Sequence, residues 1–104
     1  MLPFPGYSVR YTVDPDGTAW LVARDVLAIL DLDVSKHPGR WLNRTPDAER
    51  AYRHVPSVSG TQRYSVVSIP AALALTKRRR KRPIDATVRA FLNREAVHLV
   101  RRAD

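Results

Sequence analysis

The sequence predicts a small α+β domain, and three observations carry that prediction. Two stretches alternate apolar and polar residues across turn-forming segments, as β-hairpins do. Each hairpin is followed by segments whose apolar residues recur at helical spacing. The chain has 104 residues, 44% of them hydrophobic, which suits one domain, residues 1–104, with a modest core. The expected order is hairpin, helix, helix, hairpin, helix, helix.

The first hairpin runs through Ser8–Val13 and Thr18–Val22. Val9, Tyr11 and Val13 share one face, and Asp14-Pro15-Asp16-Gly17 supplies the turn chemistry. Ala23, Val26, Leu27 and Leu30 then fall at i, i+3, i+4 and i+7, the stripe of a short helix. Asp25 favours its N-terminal dipole, while Asp31 and Asp33 are unfavourable at the other end, so the helix should stop near Leu32.

Ser35 is a suitable N-cap for a second helix, in which Lys36, Arg40 and Arg44 recur every four residues. Trp41 and Leu42 turn toward the core, although Pro38-Gly39 is also a turn dipeptide. Thr45-Pro46-Asp47 is fit to start one further short turn. The second hairpin pairs Tyr52–Val55 with Arg63–Ser68 across a loop from Pro56 to Gln62, with Gly60 near its tip. Ser68 caps a small apolar helix, Ile69–Thr76. Pro83 opens the last helix, where Ile84, Val88, Phe91, Leu92 and Leu99 form a single arc. Glu95 falls inside that arc, which requires either a bend near Asn93 or a cation beside it.

Charge is segregated along the chain. Up to Asp33 there are two basic residues against five acidic ones; from Val34 onward there are 16 basic against 5 acidic, within a net charge of +8. Six cations in succession, Lys77-Arg78-Arg79-Arg80-Lys81-Arg82, lie between two predicted helices. A basic run held at both ends is presented at a fixed place, where it can match a row of phosphates. The competing reading is a solvated loop that serves only solubility.

Several chemistries find no support in the residues. With no cysteine, disulfides, thiolate metal sites and a cysteine nucleophile are excluded. His37, His54 and His98 are scattered without metal-ligand spacing, and no cofactor is expected. His37 and His54 read as surface or phosphate-contacting groups. There is no glycine-rich phosphate loop, and the acidic residues sit too near turns for paired-carboxylate catalysis. An enzyme is not expected. Trp20 and Trp41 could stack on unpaired bases, but their inward positions favour core packing. Without an apolar stretch of membrane-spanning length or signal-peptide regions at the start, a soluble cytoplasmic protein is expected, nucleoid-associated when bound to DNA.

Two short helices followed by a β-hairpin is the outline of a winged helix-turn-helix, whose second helix enters the major groove. The residues resemble a more specific pattern. Gly17-Thr18-Ala19-Trp20-Leu21-Val22-Ala23-Arg24-Asp25-Val26-Leu27-Ala28-Ile29-Leu30 is similar to the opening of the Bro-N domain of phage antirepressors and baculovirus BRO proteins. Ser68–Thr76, the basic stretch and Pro83–Arg102, with Ala90-Phe91-Leu92 and Glu95-Ala96-Val97, resemble that family's ending. Ile69-Pro70-Ala71-Ala72-Leu73 departs from the family's Gly-Leu-Tyr-Arg, Val97-His98-Leu99 replaces its Leu-Pro, and the basic run is denser. In that family antirepression involves a second domain after this one, so the resemblance implies DNA binding for these residues.

The sequence therefore points to a DNA-binding transcriptional regulator of phage type acting on double-stranded DNA. Lys77, Arg78, Arg79, Arg80, Lys81 and Arg82 would contact phosphates, together with His37. Lys36, Arg40, Asn43 and Arg44 would be presented to base edges, arginine to guanine and asparagine to adenine. Arg53 and Arg63 on the second hairpin would act as a wing on the backbone. The main alternative is a protein-interaction module that binds an acidic repressor or host protein; an RNA binder is a further one. The sequence leaves open whether the chain acts alone or as a homodimer.

Overall fold

The computed structural model describes residues 2–32, 45–57, 60–77 and 82–103. The predicted second helix, with Lys36, His37, Arg40, Trp41, Asn43 and Arg44, lies outside them, as do Arg78, Arg79, Arg80 and Lys81. The described elements are strands β1 (Leu2–Phe4), β2 (Tyr7–Val9), β3 (Tyr11–Val13) and β4 (Ala19–Val22), then helix α1 (Ala23–Ile29). A 3-10 turn (Asp47–Glu49) leads into β5 (Arg50–Ser57) and β6 (Gly60–Ser68), followed by α2 (Ile69–Leu75) and α3 (Pro83–Ala103). Helices and strands thus build one small domain, as the α+β expectation requires. Among the described residues, no helix is long and apolar enough to cross a membrane.

The stretch expected as one strand from Ser8 to Val13 is two. Arg10 interrupts it: its N–H donates to the Asp25 carboxylate at 2.9 Å and its carbonyl accepts from Val22 N–H. What precedes Arg10 pairs backward instead, β1 with β2, Leu2 opposite Val9, across Pro5-Gly6. Gly6 adopts φ 81°, a conformation that disfavours residues bearing a Cβ. Beyond Arg10 the predicted hairpin stands, with Tyr11 opposite Leu21.

The two predicted hairpins merge into one antiparallel sheet of order β3-β4-β6-β5, because β4 pairs with the C-terminal end of β6, Leu21 opposite Val67. On one face Leu21 and Val67 meet Val26 and Ile29 of α1 with Leu30 just after it, Ala71 and Ala72 of α2, and Val88, Phe91 and Leu92 of α3. Phe4 closes this core edge-on to Phe91, ring centroids 5.1 Å apart. Trp20, Val22, Val55 and Val66 bury a smaller cluster of their own, with Ala51 and Tyr64 packed against it.

Helix ends follow their residues. α1 stops at Ile29, earlier than Leu32, in a Schellman arrangement: Asp31 N–H donates to Ala28 O and Leu32 N–H to Leu27 O. Asp31 occupies the left-handed position at φ 59°, where glycine is usual. Ser68 caps α2 by accepting from Ala71 N–H, as expected. The Pro46 turn also forms, with Pro46 as the cap itself.

The second hairpin is longer than expected. Pairing continues through Pro56 opposite Thr61 to Ser57 opposite Gly60, so most of the predicted loop is strand. Proline is tolerated there because β5 is an edge strand and its missing N–H costs no ladder bond. Since β4 ends opposite Val66, residues 52–57 and 60–65 run on as a two-stranded ribbon, roughly 20 Å long at strand spacing.

Candidate nucleic-acid interface

The basic run is anchored at both of its described ends. Thr76, which caps α2 and is fully buried, donates its hydroxyl to Leu73 O at 2.6 Å. Arg89 of α3 reaches back to it, Nε to Thr76 Oγ1 at 3.1 Å and Nη2 to Thr76 O at 3.3 Å. At the other end Arg82 caps α3 in a reciprocal pair: its N–H donates to Asp85 Oδ2 at 3.0 Å and its carbonyl accepts from Asp85 N–H at 3.0 Å. Asp85 is 2% exposed, so this bond is shielded from water. Arg82 also faces Asp31 at 3.6 Å, an open contact worth well under about 1 kcal/mol. On either side of the run Val88 is fully buried, while Leu73, Leu75 and Ile84 pack at the core margin. The polar anchors Thr76, Asp85 and Arg89 went unseen in the sequence, although Asp85 three residues after a cap is a recognisable signal.

The ribbon separates the two arginines expected to form a wing. Arg53 points to the Trp20 side of the sheet, where Nε and Nη2 donate to the Asp14 carboxylate, both at 3.1 Å. Its guanidinium lies 5.1 Å from the Trp20 ring centre, and Trp20 Nε1 donates to the same carboxylate at 2.9 Å. The Arg53 hydrogen bonds, assisted by the Trp20 N–H, hold the Asp14 carboxyl below the ordinary carboxylate range against the opposing effect of burial. The same bond raises the affinity of Arg53 for its proton. Asp14 and Arg53 thus tie β3 to β5, the two outer strands, and the charge of Arg53 is already answered. Trp20 is 7% exposed, the packed position expected for it.

Arg63 lies on the other face, exposed, 4.5 Å from the centre of the Tyr52 ring, and meets no carboxylate among the described residues. Tyr52 is 56% exposed and His54 stands beside them, directly opposite Arg63. This is a cationic, aromatic face on a projecting ribbon. Lys77 is exposed at the start of the basic run.

A second ion pair braces the base of the ribbon. Arg10 donates to Asp25 in bidentate fashion, Nε to Oδ2 and Nη2 to Oδ1, both at 2.8 Å, and Nη1 donates to Tyr64 Oη at 2.7 Å. Side-chain exposures of 21% and 13% make this pair far better shielded than Arg50–Asp47, whose carboxylate is 95% exposed. The Asp25 hydrogen bonds dominate over burial and raise the Arg10 affinity for its proton. Glu95, the odd residue of the α3 arc, is 17% exposed and lies 3.5 Å from Arg94, its neighbour in sequence, which is itself 66% exposed.

Among the described residues, no group of three or more histidine, aspartate or glutamate side chains gathers to hold a metal ion. No family model matches the chain, and neither a curated protein nor a solved structure does.

Proposed function

We propose that this chain is a nucleic-acid-binding domain that contacts duplex DNA as a transcriptional regulator of Bro-N type. The observation that carries this reading is the anchored basic run: six successive cations that follow Thr76, which Arg89 holds, and end on Arg82, which forms the cap with Asp85. Fixing both ends lowers the entropy lost when the run aligns on phosphates. The exposed Arg63 and His54 on the ribbon support it, since a major groove admits a two-stranded ribbon as well as a helix. In this reading Lys36, Arg40, Asn43 and Arg44 read base edges, in the manner of a winged helix-turn-helix, and the β5–β6 ribbon is the wing. Arg53 serves the fold, through Asp14, rather than the phosphate backbone.

The test is affinity for random-sequence duplex DNA, measured across a salt series. Neutralising about five or six phosphates gives a slope of log affinity against log salt near −5. A slope near zero overturns the proposal and favours an acidic protein partner. Single-stranded RNA that outcompetes duplex DNA overturns the choice of duplex.

A further inference from the structure

Because β4 turns into α1 at Ala23 while β6 continues, an open cleft of about 570 Å3 lies between the start of α1 and the ribbon. Arg10, Arg24, Gln62, Arg63, Tyr64 and Ser65 line it. We propose that this cleft is a phosphate seat for the nucleic-acid backbone, separate from the basic run; it rests on the nucleic-acid reading above.

Charge balance narrows the ligand to two negative charges, and the nucleic-acid reading above makes them phosphates rather than a pair of carboxylates. Three guanidinium groups line the cleft, and Asp25 compensates one of them through its bidentate pair with Arg10. Arg24 and Arg63 have no carboxylate partner among the described residues. A neutral ligand leaves two cations unanswered, and a single carboxylate leaves one. Two neighbouring phosphodiesters, or one phosphate monoester, answer both. Guanidinium forks also match phosphate oxygens in geometry.

The seat is built before its ligand arrives. Arg10 is fixed by Asp25 and by the Tyr64 hydroxyl, which in turn donates to Gln62 Oε1 at 3.1 Å, so one wall of the cleft is a closed hydrogen-bonded chain. Stacking on Tyr52 restricts Arg63 from the other side. The half-buried Ser65, opposite Tyr52 in the β-ladder, brings a hydroxyl donor of the kind phosphates accept. Arg24 stands exposed in the first turn of α1. The volume suits a nucleotide-sized group.

The full chain is tested in two arms. In the first, inorganic phosphate is added while the arginine Nε–H resonances are followed by NMR. Arg24 and Arg63 signals should shift together, and in each single variant, Arg24→Gln or Arg63→Gln, the signal of the arginine that remains should shift less at the same phosphate concentration. In the second, each single glutamine variant, checked for an unchanged melting temperature, is titrated with random duplex across a salt series. Each should bind about tenfold more weakly, the size of one charge-assisted contact, and lose about 0.9 from the salt slope. No phosphate shift at either arginine overturns the seat. Phosphate shifts with unaltered duplex binding overturn the backbone assignment and give the cleft to free phosphate compounds. If the wild type binds duplex with a steep slope and the variants match it, the seat alone fails. A wild type without salt-dependent binding fails both readings.

Discussion

Arg89 and Thr76 lie thirteen residues apart, yet the Arg89 guanidinium closes on both the hydroxyl and the carbonyl of Thr76, at 3.1 and 3.3 Å. The last turn of α2 is therefore finished by a side chain from the second turn of α3, and the basic run begins next to a fully buried residue. Removing the guanidinium leaves a buried carbonyl without its donor. Arg89→Ala should cost about 1–3 kcal/mol in denaturant unfolding. Its duplex affinity should fall while the salt slope stays within about one unit of wild type, because the run keeps its charges and loses only its anchor.

Replacing Arg78, Arg79 and Arg80 with serine should leave unfolding unchanged, since the anchors at Thr76 and Arg82 remain. Duplex binding should weaken equally for all sequences, with about 0.9 lost from the slope per contact. Unchanged binding in the triple variant would reduce the run to a solubilising surface.

Arg40→Ala and Asn43→Ala test the proposed base readers. Each should lose about 1–3 kcal/mol of preference for a selected site while keeping most non-specific affinity, measured by competition between selected and random duplexes. Full retention of preference in both assigns reading to another element, the ribbon first.

The Asp14–Arg53 pair predicts an acid limb in stability. Asp14 is held below its ordinary range in the folded state, mainly by Arg53, so its contribution is fully present above about pH 4. That contribution is lost as pH falls further, toward and through the folded value. Asp14→Asn should be less stable than wild type at pH 7, and the gap should narrow below about pH 4 in denaturant melts. A gap that stays constant with pH would mean the pair does not stabilise the fold through its charge.

Asp31 occupies a left-handed position at the C-terminus of α1, next to a dipole end that repels it. Asp31→Asn keeps a residue that tolerates this conformation and removes the charge, at the expense of the loose Arg82 contact. A gain of about 0.3–1 kcal/mol is expected from thermal unfolding.

The elements legible in the sequence were those whose signal is local. The Asp14–Gly17 turn, the Ser68 cap, Pro83 at the start of α3 and the buried arc of Val88, Phe91 and Leu92 all follow from spacing and turn chemistry. What escaped was set by partners distant in the chain. Nothing near Arg10 says that Asp25 and Val22 will take its backbone groups and split a strand in two. Likewise Arg53 and Arg63 look alike with nine residues between them, and only the hairpin register, which sets Arg53 opposite Tyr64 and Arg63 opposite His54 on the next rung, turns one toward Asp14 and the other toward Tyr52. Arg24 and the cleft it borders arise from β4 being shorter than β6, a mismatch between strands fourth and sixth in order.

That mismatch also makes reach and fold separable quantities. In β6 the large helix-covered core takes Val67, whereas the ribbon is tied to the body by Val55 in the smaller Trp20 cluster, by Arg53 to Asp14 and by Tyr64 to Arg10, and its tip, residues 56–57 and 60–61, lies beyond these ties. Lengthening the hairpin by two residues in each strand preserves which side chains share a face and moves the tip outward by roughly 7 Å. Beyond those ties, the tip of the arm is a dimension that sequence change can tune in span without renegotiating the packing of the body that carries it.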